Sequence, residues 1–192
     1  MNWTELERGF TGADRRRVAA VTWRAAKRIA PVIARVADEY GPEALEWFNA
    51  IACSLGVTER YVTGLPVTRF TLDLAADTAR TAATAGANAA RLLGPSRAAE
   101  DAELAFASTA FAADVCRAHS PQRAAMFAVQ GLRAADASGR IPREWLETDV
   151  ALLNNGDFGD LWPIGEPDWS AEGWERLRTA GPMPALLTIP VA

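Results

Sequence analysis

Residues 72–93, LDLAADTARTAATAGANAARLL, and residues 98–119, AAEDAELAFASTAFAADVCRAH, decide the fold. In the first, Leu72, Ala76, Ala79, Ala83, Gly86, Ala90 and Leu93 are spaced alternately four and three apart, so they fall on one line along a helix. The opposite face carries Asp73, Asp77, Arg80, Thr84, Asn88 and Arg91, which sets a solvated stripe against a packing seam. The second stretch repeats the arrangement with Ala98, Ala102, Ala105, Thr109, Ala112, Cys116 and His119. Leu104, Phe111 and Val115 form a bulkier line beside that seam and predict neighbours on two sides. Small seam residues let helix axes approach to the short end of the usual range of about 8–10 Å, and a seven-residue repeat favours crossing at about +20°. Gly94-Pro95-Ser96 makes the two stretches an antiparallel hairpin, and Ser120-Pro121 caps and starts a third long helix. The small-residue texture continues to Ala137. A buried methyl contributes only about 0.8 kcal/mol, so stability draws also on helix propensity and on larger residues elsewhere.

Working outward, residues 2–8 suit a short amphipathic helix carrying Trp3 and Leu6. Thr11-Gly12-Ala13-Asp14 reads as a capping box for a helix extending to Tyr40, bent or split by Pro31. Its apolar arc is wide, and its remaining face aligns Arg17, Arg24, Arg28 and Arg35. Gly41-Pro42 separates it from a helix whose apolar face, Leu45 to Leu55, stops at Gly56. A connector over 57–70, with a helical turn at Glu59–Val62, leads to the small-residue helices. Beyond Gly139, Pro142 opens a shorter helix with Trp145, Leu146, Val150 and Leu153 inward, closed by Asn155-Gly156. From Asp157 the run DFGDLWPIGEPDW is broken by Gly and Pro and has no period. Ser170 caps a last helix before the uncharged tail PMPALLTIPVA.

Within 192 residues this predicts one all-α domain, an antiparallel bundle of six or seven helices under an irregular Trp-rich C-terminal cover. Its parts are the N-terminal helices over 11–56, the Ala-rich helices over 70–138, and a C-terminal helix, acidic-aromatic loop and tail over 142–192. A net charge of −4 disfavours nucleic acid as a partner. Two cysteines, Cys53 and Cys116, cannot make a disulfide framework, and MNWTELERGF is charged where a secretory leader needs an apolar run. These features predict a cytoplasmic protein with reduced thiols. The sequence lacks any uncharged apolar run of the roughly 18 residues that a membrane span requires.

Cys116 and His119 lie three apart and could share a metal with Cys53, but no CxxC or HExxH supports a closed site. A packed thiol is the expectation, with no metal or cofactor. One histidine and no nucleophile motif give a catalytic triad no support. Asp73 and Asp77 have a spacing that can hold magnesium against a phosphorylated ligand, with Arg80 one turn on; a solvated charge stripe explains them more cheaply. Glu100, Asp101 and Glu103 read as acids complementing a helix dipole. Four aligned guanidinium groups at Arg17, Arg24, Arg28 and Arg35 need water, acids or a partner. Between Asp157 and Glu175 stand six carboxylates and no Lys or Arg. Asp157, Asp160, Trp162, Glu166, Asp168 and Trp169 there form either a structural lid or a partner-binding surface with aromatic anchors in an acidic rim.

The runs AADTARTAATAGANAARLL (75–93) and AFASTAFAADVCRA (105–118) resemble the Ala-rich helices of bacterial immunity-type proteins from toxin–antitoxin and polymorphic toxin systems. DLWPIGEPDW (160–169) resembles an LWP-x-G-x-P element near the end of some bacterial proteins of no assigned activity. The first resemblance implies a non-enzymatic module that engages a protein partner, through the acidic-aromatic loop or the basic helix face. Two alternatives stand beside it. One is a helical enzyme acting on a phosphorylated small molecule through Asp73 and Asp77 with Arg80; the other is a structural subunit that forms a homo-oligomer through the small-residue seam.

Overall fold

The computed structural model describes residues 1–30, 32–33, 42–92 and 97–155. Among these are seven helices and no strand: α1 (Trp3–Gly12), α2 (Arg15–Ile29), α3 (Pro42–Val62), α4 (Arg69–Leu92), α5 (Arg97–Arg117), α6 (Pro121–Ala137) and α7 (Arg143–Asn155). The chain is an all-α helical bundle. The expected Gly94-Pro95-Ser96 turn, the bend at Pro31, and everything anticipated beyond Asn155 lie outside the described residues.

α2 and α5 form the centre. α5 packs against α2, α3, α4 and α6, and α2 packs against α3, α5, α6 and α7. Both are buried around most of their circumference, as a helix in the middle of a core must be. In α2 every side chain from Val18 to Ile29 is buried. In α5 the seam residues Ala102, Ala105, Thr109, Ala112 and Cys116 are buried, but so are Phe106, Ser108, Ala113, Asp114 and Val115. The bulkier line is covered unevenly: Val115 is fully buried, while Leu104 and Phe111 are half-buried, Phe111 against Phe127 of α6.

The antiparallel pairing of α4 with α5 follows from which residues meet. Asp77 meets Arg117, Arg80 meets Asp114, Gly86 lies under Phe106, and Arg91 meets Glu103. One partner number rises as the other falls. The α5–α6 pair runs the same way, with Ser108 Oγ donating to the Gly131 carbonyl at 3.0 Å and Phe111 stacked on Phe127.

Two helix boundaries differ from the sequence expectation. α1, expected over 2–8, is capped by Asn2 and extends to Gly12, taking in Thr11 and Gly12 of the expected box, so that Asp14 alone caps α2, accepting from the Arg17 N–H at 3.2 Å. α3 does not stop at Gly56 but continues to Val62, ending where Gly64 takes a φ of +80°. A mid-helix glycine costs about 1 kcal/mol. Burial of Val57, Thr58 and Val62 in the extra turns returns more than that, at roughly 1.5–3 kcal/mol for each large apolar side chain.

Candidate functional site

The polar stripe of α4 places Arg69, Asp73, Asp77 and Arg80 along one face, at spacings of four, four and three. The C-terminal end of α5 contributes Asp114 and Arg117. Ala118 and His119 lead into α6, where Ser120 is the cap and accepts from the Arg123 N–H at 3.2 Å. Arg123 and Phe127 then follow four apart on the first turns of α6. The three helix ends enclose a pocket of about 240 Å³ lined by Arg69, Asp73, Arg80, Arg117, Ala118, His119, Arg123 and Phe127.

Its charges are held in a network. Arg117 Nε lies 2.8 Å from Asp114 Oδ1, and its Nη1 lies 2.7 Å from Asp77 Oδ1. Burial works to lower the Arg117 pKa, but the hydrogen bonds and charges of Asp114 and Asp77 outweigh it and hold the value above the ordinary one. Asp114 is buried and takes a second guanidinium, Arg80 Nη2, at 2.5 Å. Arg69 Nε bonds Asp73 at 3.1 Å while its Nη2 lies 3.1 Å from His119 Nε2. A guanidinium can only donate, so in this contact His119 Nε2 is the acceptor. Arg123 is exposed and has no carboxylate partner among the described residues. Four arginines thus line a pocket with one carboxylate, Asp73, in its wall, while Asp77 and Asp114 bond two of those arginines without lining it. The arrangement suits an oxyanion, because guanidinium forks match phosphate and carboxylate geometry.

Asp73 and Asp77, weighed in the sequence as magnesium ligands, are each tied to an arginine, Asp73 to Arg69 and Asp77 to Arg117. Among the described residues no three His, Cys, Asp or Glu side chains gather as metal ligands. Cys116 and His119 part company. The thiol points inward and donates to the Ala112 carbonyl, while His119 is exposed.

In its described part, Arg17 to Arg28, the basic face is not a solvated stripe. Arg17 is half-buried, and Arg24 and Arg28 are each 1% exposed. Both grip Asp149 of α7, which is fully buried: Arg24 Nε at 2.7 Å from Oδ1, and Arg28 through Nε at 3.0 Å from Oδ2 and Nη2 at 3.1 Å from Oδ1. Arg28 also lies over the Trp145 ring, 5.1 Å from its centroid. The acid is therefore one that the sequence reading did not single out. Asp101 is corrected in the same way. It is fully buried rather than a dipole acid at the helix surface, held by Arg97 at 3.1 Å and Arg140 at 2.6 Å. Arg35, Asp157, Asp160, Trp162, Glu166, Asp168 and Trp169, the remaining candidates for partner binding, lie outside the described residues.

The pocket is partly visible in the sequence. Of its lining residues the sequence singles out Asp73, Arg80 and His119 but not Arg69, Arg117 or Arg123, for which the one signal is the crowding of Arg117, His119 and Arg123 around the Ser120-Pro121 helix start. No described helix is long and apolar enough to cross a membrane. Comparison with protein-family models, with curated proteins and with solved structures finds no match.

Proposed function

We propose that this chain binds a small anion, the phosphate or carboxylate group of a metabolite, in the pocket between the ends of α4, α5 and α6. One observation carries the reading: four arginines converge on a concavity of about 240 Å³ whose wall holds a single carboxylate. Charge-assisted hydrogen bonds from arginine to an oxyanion are roughly twice as strong as neutral ones. Arg117 is fixed by Asp114 and Asp77, so little side-chain entropy is lost when a ligand arrives. Arg123 supplies the charge that no described carboxylate neutralises. A catalytic version using magnesium on Asp73 and Asp77 is the weaker form, since one oxygen of each already accepts from an arginine and no third ligand gathers beside them among the described residues.

The test is calorimetric titration of the full chain with inorganic phosphate at low ionic strength. Binding should weaken as salt is raised and fall by about tenfold, or about 1.4 kcal/mol, in Arg123→Ala. That side chain is exposed, so its loss spares the fold. Absence of measurable phosphate and acetate binding by the intact protein would overturn the proposal.

A further inference from the structure

A second concavity of about 320 Å³ opens between α4 and α5, and its position relative to the arginine pocket says what kind of anion fits. Arg80 lines both spaces, and its partner Asp114 lines the second. On the other side, Phe127 lines the first space and Phe111 the second, with the two rings stacked at 6.2 Å and an interplanar angle of 28°. The two spaces therefore meet along a boundary formed by the Arg80–Asp114 pair and by the Phe111–Phe127 stack. A ligand long enough to pass over this boundary reaches both spaces.

The chemistry changes across that boundary. The arginine pocket is a cationic end. Past Arg80 the floor is Ala83, Ala87, Ala107 and Ala110, with the exposed polar side chains Thr84 and Asn88 on the rim. The far end holds Arg91 and Glu103, paired with each other at 2.9 Å. From Arg80 to Arg91 along α4 is about 16 Å at 1.5 Å per residue. A methyl-lined floor lets a flat ring lie close to the backbone, and an aromatic stack at the junction offers a ring face to a ligand crossing from one space to the other. Thr84 and Asn88 can hydrogen-bond heteroatoms on a ring edge.

We propose that the ligand is an aromatic phosphate ester, its phosphate held by Arg69, Arg117 and Arg123 and its ring system laid over the alanine floor between α4 and α5. This rests on the anion-binding reading above and names its ligand class. The apolar part contributes affinity that inorganic phosphate lacks, and the charged part fixes the orientation.

The experiment compares inorganic phosphate with 1-naphthyl phosphate by calorimetry on the full chain and on two variants. Ala87→Leu fills the floor; Asn88→Trp, at an exposed position, overhangs it without burdening the core. The intact chain should bind the naphthyl ester at least about tenfold more tightly than phosphate. Either folded variant should lose that advantage while keeping its affinity for phosphate. Phosphate binding with no naphthyl advantage overturns the ligand class and leaves the anion pocket standing, as does an advantage that survives in both variants. Failure of both ligands to bind the intact chain overturns the two readings together.

Discussion

Among the described residues three buried aspartates organise the polar interior, each paired with two arginines: Asp101 with Arg97 and Arg140, Asp114 with Arg80 and Arg117, Asp149 with Arg24 and Arg28. A carboxylate has about four acceptor sites, and two guanidinium forks can fill them where two ammonium groups could not. This gives six of the nineteen arginines a structural role that a lysine would fill less well. Only the Arg24–Arg28–Asp149 cluster is buried in all its members, and there removing one member costs about 3–5 kcal/mol, chiefly because the partners are left charged and desolvated. Cys116 shows the opposite use of burial. Desolvation pushes its thiol from 9.0 up to about 12, against the lowering effect of the Thr58 hydrogen bond and the Arg15 charge. The folded value is raised, so this group's contribution is complete below about pH 9, where both states keep the proton. Between about 9 and about 12 only the unfolded chain releases it, and stability falls by about 1.4 kcal/mol per pH unit. Urea unfolding at about pH 8 and about pH 10.5 should therefore show a smaller alkaline loss in Cys116→Ala than in the parent. Equal losses would mean that the thiol is not sealed from water.

At the scale of the element, the α4–α5 seam depends on one residue having no side chain. A Cβ at Gly86 would sit 2.3 Å from Phe106 Cε2, and that ring is itself buried with no room to retreat. Gly86→Ala sets a helix-propensity gain of about 1 kcal/mol against an overpacking cost of typically 1–3 kcal/mol. With overlap this severe the cost wins. Thermal unfolding should come at a lower temperature, by about 2–4 °C for each kcal/mol of net loss in a chain of this size; an unchanged or raised midpoint would show that the helices can slide apart without penalty. Gly86 was legible in the sequence because it occupies a seam position in a regular four-three repeat, and local periodicity is what a sequence displays best. The end of α3 was not. Gly56 and Gly64 look alike as letters, and only the burial of Val57, Thr58 and Val62 by helices distant in sequence decides which of them ends the helix. The inward turn of Arg24 and Arg28 was hidden for the same reason, their acid lying 125 and 121 residues away.

At the scale of the whole molecule, the arginine pocket joins side chains whose relation no local pattern encodes: Arg69 meets His119 across 50 residues, and Arg117 meets Asp77 across 40. Such a site stands or falls with the packing of α4, α5 and α6, and the bundle gives these helices unequal support. α5 is enclosed by four neighbours, and α2 crosses it as the other central helix. α1 rests chiefly on α6, through Phe10 and the half-buried Trp3 and Leu6, with Arg133 over the Trp3 ring at 5.5 Å. Local opening needs only the contacts of the segment that opens. α1 should therefore detach at a free energy well below that of global unfolding. No part of α5 can open without exposing the faces of α2, α3, α4 and α6 together. Native-state hydrogen exchange should place the mid-helix amides of α5 and α2 in the slowest class, exchanging only with global unfolding and slowing or quickening with total stability. The amides of α1 should exchange faster and be insensitive to Gly86→Ala, because their opening breaks contacts with α6 and leaves the α4–α5 seam intact. Protection of α1 equal to that of α5 would mean that the N-terminal helix is an integral part of the core, and the hierarchy drawn from the packing would be wrong.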